Sequence, residues 1–223
     1  MTWIKFCGIT SYEDARLALD LGVEALGFNF YSKSPRYIGP GAAQAVIRRL
    51  PKTAAIVGIF VDTPAEQIET IARSAPLDTL QFHGGTEPPA GLLTAECRAI
   101  LAIPVTDGDS EADRYAALLD RVKRIEQTYR SKIEHLLFDY RAGTGQFGGT
   151  GQQISPEILK RLAADGVLKN GIISGGLNSE NCAGIVSAFR PFGVDVSSGI
   201  ESAPGKKDPE KMRRFAAAVR AAA

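Results

Sequence analysis

Along the chain, short apolar runs alternate with stretches of helical period. The runs lie at residues 3–6, 25–28, 55–60, 79–82, 100–105, 134–139, 171–174 and 194–197. Most are continuously apolar rather than alternating, as expected of parallel strands covered on both faces. Between them apolar residues recur at i, i+3, i+4 and i+7, as in Ala43, Val46, Ile47 and Leu50 and again in Met212, Phe215, Ala216 and Val219. That spacing predicts amphipathic helices. Start signals agree: Thr63-Pro64-Ala65-Glu66 reads as a capping box with proline at the first helical position. Ser155-Pro156-Glu157 and Asp208-Pro209 repeat the order of cap then proline. Eight strand–helix units within 223 residues predict one (β/α)8 barrel domain, a TIM barrel, over residues 1–223. A doubly wound open sheet would leave the eighth unit unexplained. Cys7-Gly8-Ile9-Thr10-Ser11 echoes Gly175-Gly176-Leu177-Asn178-Ser179, a likeness that two βα units of one fold can share by chance.

Composition narrows the picture. A chain 44% hydrophobic can bury a substantial core. Twenty-six Lys and Arg against 25 Asp and Glu point to neither nucleic acid nor anionic membrane, and leave an anionic small molecule to a local site. Cys7, Cys97 and Cys182 are scattered, odd in number and without C-x-x-C spacing, which fits a reducing compartment and argues against a disulfide framework or structural zinc. No apolar run approaches 18 residues and the N-terminus lacks a signal-peptide core, so a cytoplasmic protein is expected, monomer or homodimer. No linker rich in Pro, Gly or Ser divides the chain. The most irregular stretch, residues 141–151 after the sixth strand, has five glycines in eleven residues. It reads as a plain flexible loop or an active-site lid, and its place on a barrel's catalytic face favours the lid.

In a barrel the carboxyl ends of all strands open onto one mouth. There the sequence sets Cys7 after strand one, Arg36 after strand two, Gln81 within and His83 at the end of strand four, and Asp139 at the end of strand six. Gly175-Gly176-Leu177 follows strand seven and Ser197-Ser198-Gly199 follows strand eight. Glycines let backbone N–H groups approach an anion, and a following helix start adds a positive dipole end. One such loop is better explained by a tight turn, but two on adjacent strands favour phosphate. Arg36, in Ser34-Pro35-Arg36-Tyr37, could pair a second anionic group, though on this residue alone a solvated surface arginine is the better reading. Cys7 has three readings: a core residue, a covalent nucleophile wanting a nearby histidine, or a thiolate base with its pKa lowered by a cation or helix end. Asp139 ends a strongly apolar strand, so it is either a loop cap or a desolvated carboxyl suited to act as an acid. Asp195 reads as structural, and Lys206 and Lys207 as a solvated pair. Lys5 alternates with Cys7 and could enter the barrel, where it is the one candidate for a Schiff base. His83 has no second ligand at metal spacing, and His135 starts strand six at the opposite end.

These motifs together resemble the phosphoribosylanthranilate isomerase family. The matching segments include Lys5-Phe6-Cys7-Gly8-Ile9-Thr10, Lys33-Ser34-Pro35-Arg36-Tyr37-Ile38, Leu80-Gln81-Phe82-His83-Gly84, Leu137-Phe138-Asp139, Ser174-Gly175-Gly176-Leu177 and Val194-Asp195-Val196-Ser197-Ser198-Gly199-Ile200-Glu201, in order across the chain. The resemblance implies a (β/α)8 barrel that carries out the Amadori rearrangement of N-(5-phosphoribosyl)anthranilate in tryptophan biosynthesis. It also implies Cys7 as base, Asp139 as acid, Arg36 on the anthranilate, and phosphate at the Gly175–Leu177 and Ser197–Gly199 turns. Gln81 and His83 stand as further substrate contacts, and no metal or organic cofactor is required. Departures are Gln152-Gln153-Ile154-Ser155, where the family has an aromatic-acidic-Trp segment, and Phe82 in place of leucine. A metal-dependent epimerase, a Schiff-base lyase and a non-catalytic phosphometabolite sensor are the competing readings.

Overall fold

Eight parallel strands pair in sequence order, and the last returns to the first: β1 (Trp3–Cys7), β2 (Ala25–Asn29), β3 (Ala55–Val61), β4 (Thr79–His83), β5 (Arg98–Thr106), β6 (His135–Arg141), β7 (Gly171–Ser174) and β8 (Gly193–Val196). Closure comes from β1 pairing with β8, Lys5 opposite Asp195 and Phe6 opposite Val196. The computed structural model describes residues 1–84, 88, 92, 98–106, 110–129, 132–141 and 153–223. Cys97 and the expected lid, beyond the backbone of Arg141, lie outside the described residues. Seven helices are described: α1 (Tyr12–Asp20), α2 (Pro40–Ile47), α3 (Ala65–Ser74), α4 (Glu111–Tyr129), α5 (Pro156–Ala164), α6 (Cys182–Phe189) and α7 (Pro209–Ala222).

The continuous apolar runs arise because each strand buries both faces. One set of alternate residues, including Ala25, Val57, Ile100, Leu137 and Ile172, fills the barrel. The other set, including Ile4, Phe6, Leu26, Phe28 and Phe138, packs under the helices. From α7, Met212, Phe215, Ala216 and Val219 all face that outer layer, with Phe215 edge-on to Phe6 at 6.0 Å between ring centres. The expected caps at α5 and α7 form: Ser155 Oγ accepts from Ile158 N, and Asp208 Oδ1 accepts from Glu210 N and Lys211 N.

The expected capping box at α3 does not form. Pro64, extended at φ −59° and ψ 145°, is itself the residue before the first turn, so Thr63 sits one position too early to reach the helix N–H groups. Its hydroxyl instead donates to Val61 O at 3.1 Å. One element was not foreseen. After a 3-10 turn over Ser198–Ile200, a small antiparallel hairpin joins β9 (Glu201–Ala203) to β10 (Lys206–Lys207) through Pro204-Gly205. Gly205 makes the turn at φ +80°, a conformation glycine adopts without a Cβ penalty.

Candidate active site

Cys7 ends β1 with its sulfur half-buried at the mouth. Its in-register neighbour on β2 is Gly27, where a Cβ would stand 3.2 Å from the Cys7 Sγ and 3.1 Å from its Cα. The missing side chain leaves the sulfur its space. The Gly27 carbonyl then accepts from both Gly8 N and Ile9 N at 2.9 Å, turning the chain away from the strand.

Two residues earlier on the same inward face, Lys5 is completely buried and donates to Asp195 Oδ1 at 2.7 Å. Ser174 Oγ donates to the other oxygen at 3.4 Å. Burial pulls the Lys5 ammonium down, but Asp195 and the Cys7 sulfur more than offset it, and its pKa ends above the ordinary value. A lysine held as a cation has no lone pair for a Schiff base, so that competing use of Lys5 loses its footing.

Of the three readings the sequence allowed for Cys7, the thiolate base carried a pKa lowered by a cation or a helix end; the structure corrects that direction. Burial pushes the Cys7 thiol up, Asp195 adds to the rise, and Lys5, Lys207 and Arg36 pull it down without reversing it. The cations are present; desolvation outweighs them.

Arg36, after β2, is held by the segment that follows β8, on the other side of β1. Its Nε and Nη2 donate to Glu201 Oε1 and Oε2, both at 2.8 Å, a side-on bidentate pair. Lys207, expected as half of a solvated pair, is instead buried, whereas Lys206 is exposed. The β10 strand turns Lys206 out and the next residue, Lys207, in. The Lys207 ammonium donates to Cys7 O at 2.6 Å, Ser197 O at 3.2 Å and Glu201 Oε1 at 2.9 Å, which uses its three N–H groups. Burial alone would raise Glu201, but Arg36 and Lys207 more than reverse this and hold the carboxyl below the usual range.

The remaining expected residues share the rim. Asp139 sits half-buried on β6, in register with Pro104 of β5 and Ser174 of β7. Its strand neighbour two positions back, Leu137, fills the barrel, so the carboxyl occupies the inward register at the strand's carboxyl end. Gln81 and His83 take the inward register of β4 and contact each other through Gln81 Nε2 and His83 Nε2. Burial and the Lys5 charge push His83 down to about 3, so the ring is neutral. Gln81 Oε1 and Ser197 Oγ are buried without a partner among the described residues.

The β7 and β8 turns meet backbone to backbone. Gly175 and Gly176 have φ +88° and +64°, and a Cβ on Gly199 would lie 1.9 Å from Leu177 O. Leu177 is itself buried, and Ser198 opens the 3-10 turn. His135 lies at the other end, stacked on Phe192 at 3.9 Å near Trp3. Lys5 enters the barrel as its even spacing from Cys7 led us to expect, but meets Asp195 there. The sequence reading assigned no role to Glu201 or Ser174 and took Lys207 as solvated; for Glu201 and Lys207 the Pro-Gly turn between them was the one local signal.

Residues 4–218 match the family described as PRAI, N-(5'phosphoribosyl)anthranilate (PRA) isomerase. The chain belongs to this family. It is 40% identical over 217 residues to the N-(5'-phosphoribosyl)anthranilate isomerase of Geobacter sp. (strain M21), covering 97% of each chain. A relative of the same name from Rubrobacter xylanophilus is 37% identical over 222 residues, covering 99% of this chain and all of that one. Among solved structures, the phosphoribosyl anthranilate isomerase of Thermotoga maritima superposes with a TM-score of 0.82 at 32% identity, covering 99% and 100% of the two chains. A second, at TM-score 0.76 and 29% identity over 99% and 100%, is described in complex with reduced 1-(o-carboxyphenylamino)-1-deoxyribulose 5-phosphate. As a phosphoribosylanthranilate isomerase family member, this chain is an isomerase of tryptophan biosynthesis with a phosphosugar substrate. No helix among the described residues is long and apolar enough to cross a membrane.

Proposed function

We propose that the barrel mouth performs the Amadori rearrangement of N-(5'-phosphoribosyl)anthranilate with Cys7 as general base and Asp139 as general acid. One observation carries this reading: around the closed barrel, the two contacting glycine turns of β7 and β8 stand between Asp139 on β6 and Cys7 on β1. A phosphate held on those turns sends its sugar between acid and base, and the aryl carboxylate reaches Arg36 beyond β1. The neutral His83 and the amide of Gln81 face the uncharged ribose. Two of the three cysteines, Cys7 and Cys182, are free, which suits a cytoplasmic setting.

The chemistry balances with these groups. The anilino nitrogen lone pair forms the C1–N double bond while the C1–O bond of the ring breaks, and Asp139 gives that oxygen its proton. Cys7, as thiolate, takes the proton from C2, and the C2–H electrons flow through C1 to the iminium nitrogen. The resulting enolamine gains a proton at C1 and loses one from the C2 hydroxyl to become the ketone. Nitrogen is the electron sink, so the rearrangement asks nothing of a metal or organic cofactor.

Acid and base in place each contribute on the order of 10²–10⁴-fold. Cys7→Ser and Asp139→Asn are each expected to lower kcat by that order with KM little changed, measured by the decay of substrate fluorescence. Near-normal turnover in either variant removes that residue from its role.

A further inference from the structure

The β9–β10 hairpin contributes a buried carboxylate to which the reaction above gives no part. Glu201 is 6% exposed and meets two cations at once, Arg36 through both oxygens and Lys207 through Oε1. Its own carbonyl accepts from Lys211 Nζ at 2.7 Å, which fastens it to α7. The hairpin tip also supports the loops after β1 and β2: Gly205 O accepts from Thr10 Oγ1 at 2.7 Å, and a Cβ on Gly205 would lie 2.7 Å from Pro35 O. Base loop, arginine loop and phosphate turn therefore converge on one short element.

We propose that Glu201 is a positioning residue for the isomerisation, orienting Arg36 toward the substrate carboxylate and holding Lys207 across the ends of β1 and β8. This rests on the assignment of Arg36 to that carboxylate. A guanidinium has five N–H groups in a plane. Glu201 takes the edge formed by Nε and Nη2, so the Nη1–Nη2 edge, whose Nη1 is uncommitted among the described residues, is left for a second carboxylate. The plane fixed by Glu201 thus becomes the plane in which the substrate's carboxylate is read. Through Lys207 the same carboxylate ties Cys7 O to Ser197 O, and so sets the base against the turn that holds phosphate.

Glu201 also moderates the field at the thiol. The charged groups facing Cys7 are Lys5 from β1, Asp195 from β8, Arg36 from the loop after β2 and Lys207 from β10; Glu201 on β9 partners the last two. Neutralising it leaves the Arg36 guanidinium uncompensated, which favours the thiolate; burial already pulls Lys207 down and loss of Glu201 pulls it further, so the effect rests on Arg36.

Glu201→Gln is therefore expected to raise KM roughly tenfold, as for loss of a charged hydrogen bond that orients a ligand group. The rising limb of its pH–kcat/KM profile should also move to lower pH. A merely structural role would lower the melting temperature and move neither quantity for the folded protein. Lys206→Ala, on the exposed side of the hairpin, should match the parent in both. In a double-mutant cycle with Arg36→Lys, the two KM effects should be strongly non-additive. If Arg36→Lys alone leaves KM unchanged, the assignment of Arg36 falls. If Arg36→Lys raises KM while Glu201→Gln keeps the parental KM and pH limb, or the effects simply add, the Glu201 proposal falls. Should Glu201→Gln fail to fold, Glu201→Asp, too short to hold both cations at once, must still raise KM; a parental KM there would overturn the proposal.

Discussion

At the scale of single residues, the site is a contest between burial and charge. Cys7 has three cations for neighbours and still a thiol pKa above its ordinary value near 9, because desolvation is the larger effect. If Cys7 is the base, only the thiolate is active, and its share rises about tenfold per pH unit below the pKa. While Asp139 stays protonated, kcat/KM should climb with the thiolate share, and Cys7→Ser should remove that limb; a limb that survives Cys7→Ser would contradict the assignment. Lys5→Met should shift that limb further up, since it deletes a cation beside the sulfur. The same variant leaves Asp195 buried without its ion pair, a loss on the order of 3–5 kcal/mol in urea denaturation. Because the folded pKa of Lys5 is raised, the pair's contribution is complete below the unfolded lysine value and lost only as pH rises through the folded one. The stability difference should therefore be flat across pH 5–9. Residue identity at the mouth was legible in the sequence: Cys7, Arg36, Gln81, His83 and Asp139 all lie on one rim. Their electrostatics were not, because a pKa depends on neighbours that only the closed barrel brings together, as β8 does with Asp195.

At the scale of elements, close backbone approach decides which positions tolerate change. Gly199 and Gly184 look alike in sequence, each a lone glycine flanked by larger residues. A Cβ on Gly199 would fall 1.9 Å from Leu177 O, whereas one on Gly184, in α6, would meet nothing within 4 Å. Gly199→Ala must separate the β7 and β8 turns, at about 1–3 kcal/mol of stability, and should raise both KM and the concentration of inorganic phosphate needed for inhibition. Gly184→Ala should stabilise by roughly 0.5–1 kcal/mol through helix propensity and leave kinetics unchanged. Chemical denaturation with steady-state assays on both variants checks the contrast, and equal effects from the two would refute it. Strands and helix starts were read well from apolar runs and cap–proline pairs, since those signals are local. The hairpin at Glu201–Lys207 escaped because its two strands total five residues. Its reason to exist is a set of contacts across the mouth to Thr10, Pro35 and Arg36, which no local pattern reports.

At the scale of the whole molecule, the two ends of the barrel are built from different materials. The mouth carries ions in tight networks, while the opposite end carries stacked rings, with Trp3 and Phe192 at 5.8 Å and His135, the first residue of β6, stacked on Phe192. That end is also strapped by the last helix. Arg220 of α7 donates to Thr2 O at 2.6 Å and to Gly22 O and Glu24 Oε1, both at 2.7 Å. Glu24 Oε2 in turn accepts from Ile4 N at 2.8 Å. One side chain thus joins α7 to the entries of β1 and β2. Conserving function in such a barrel requires the mouth, whereas the other end need only hold the strands in register. Arg220→Ala is therefore expected to lower unfolding free energy by about 1–2 kcal/mol, less than a buried pair because Arg220 and Glu24 are 23% and 34% exposed. At temperatures where the variant stays folded, kcat and KM should remain within about twofold of the parent, since less than 0.5 kcal/mol should reach the transition state. A fall in kcat without a matching fall in stability would mean that strain at the strand entries travels the length of β1 to Cys7, and the division of labour between the two ends would have to be abandoned.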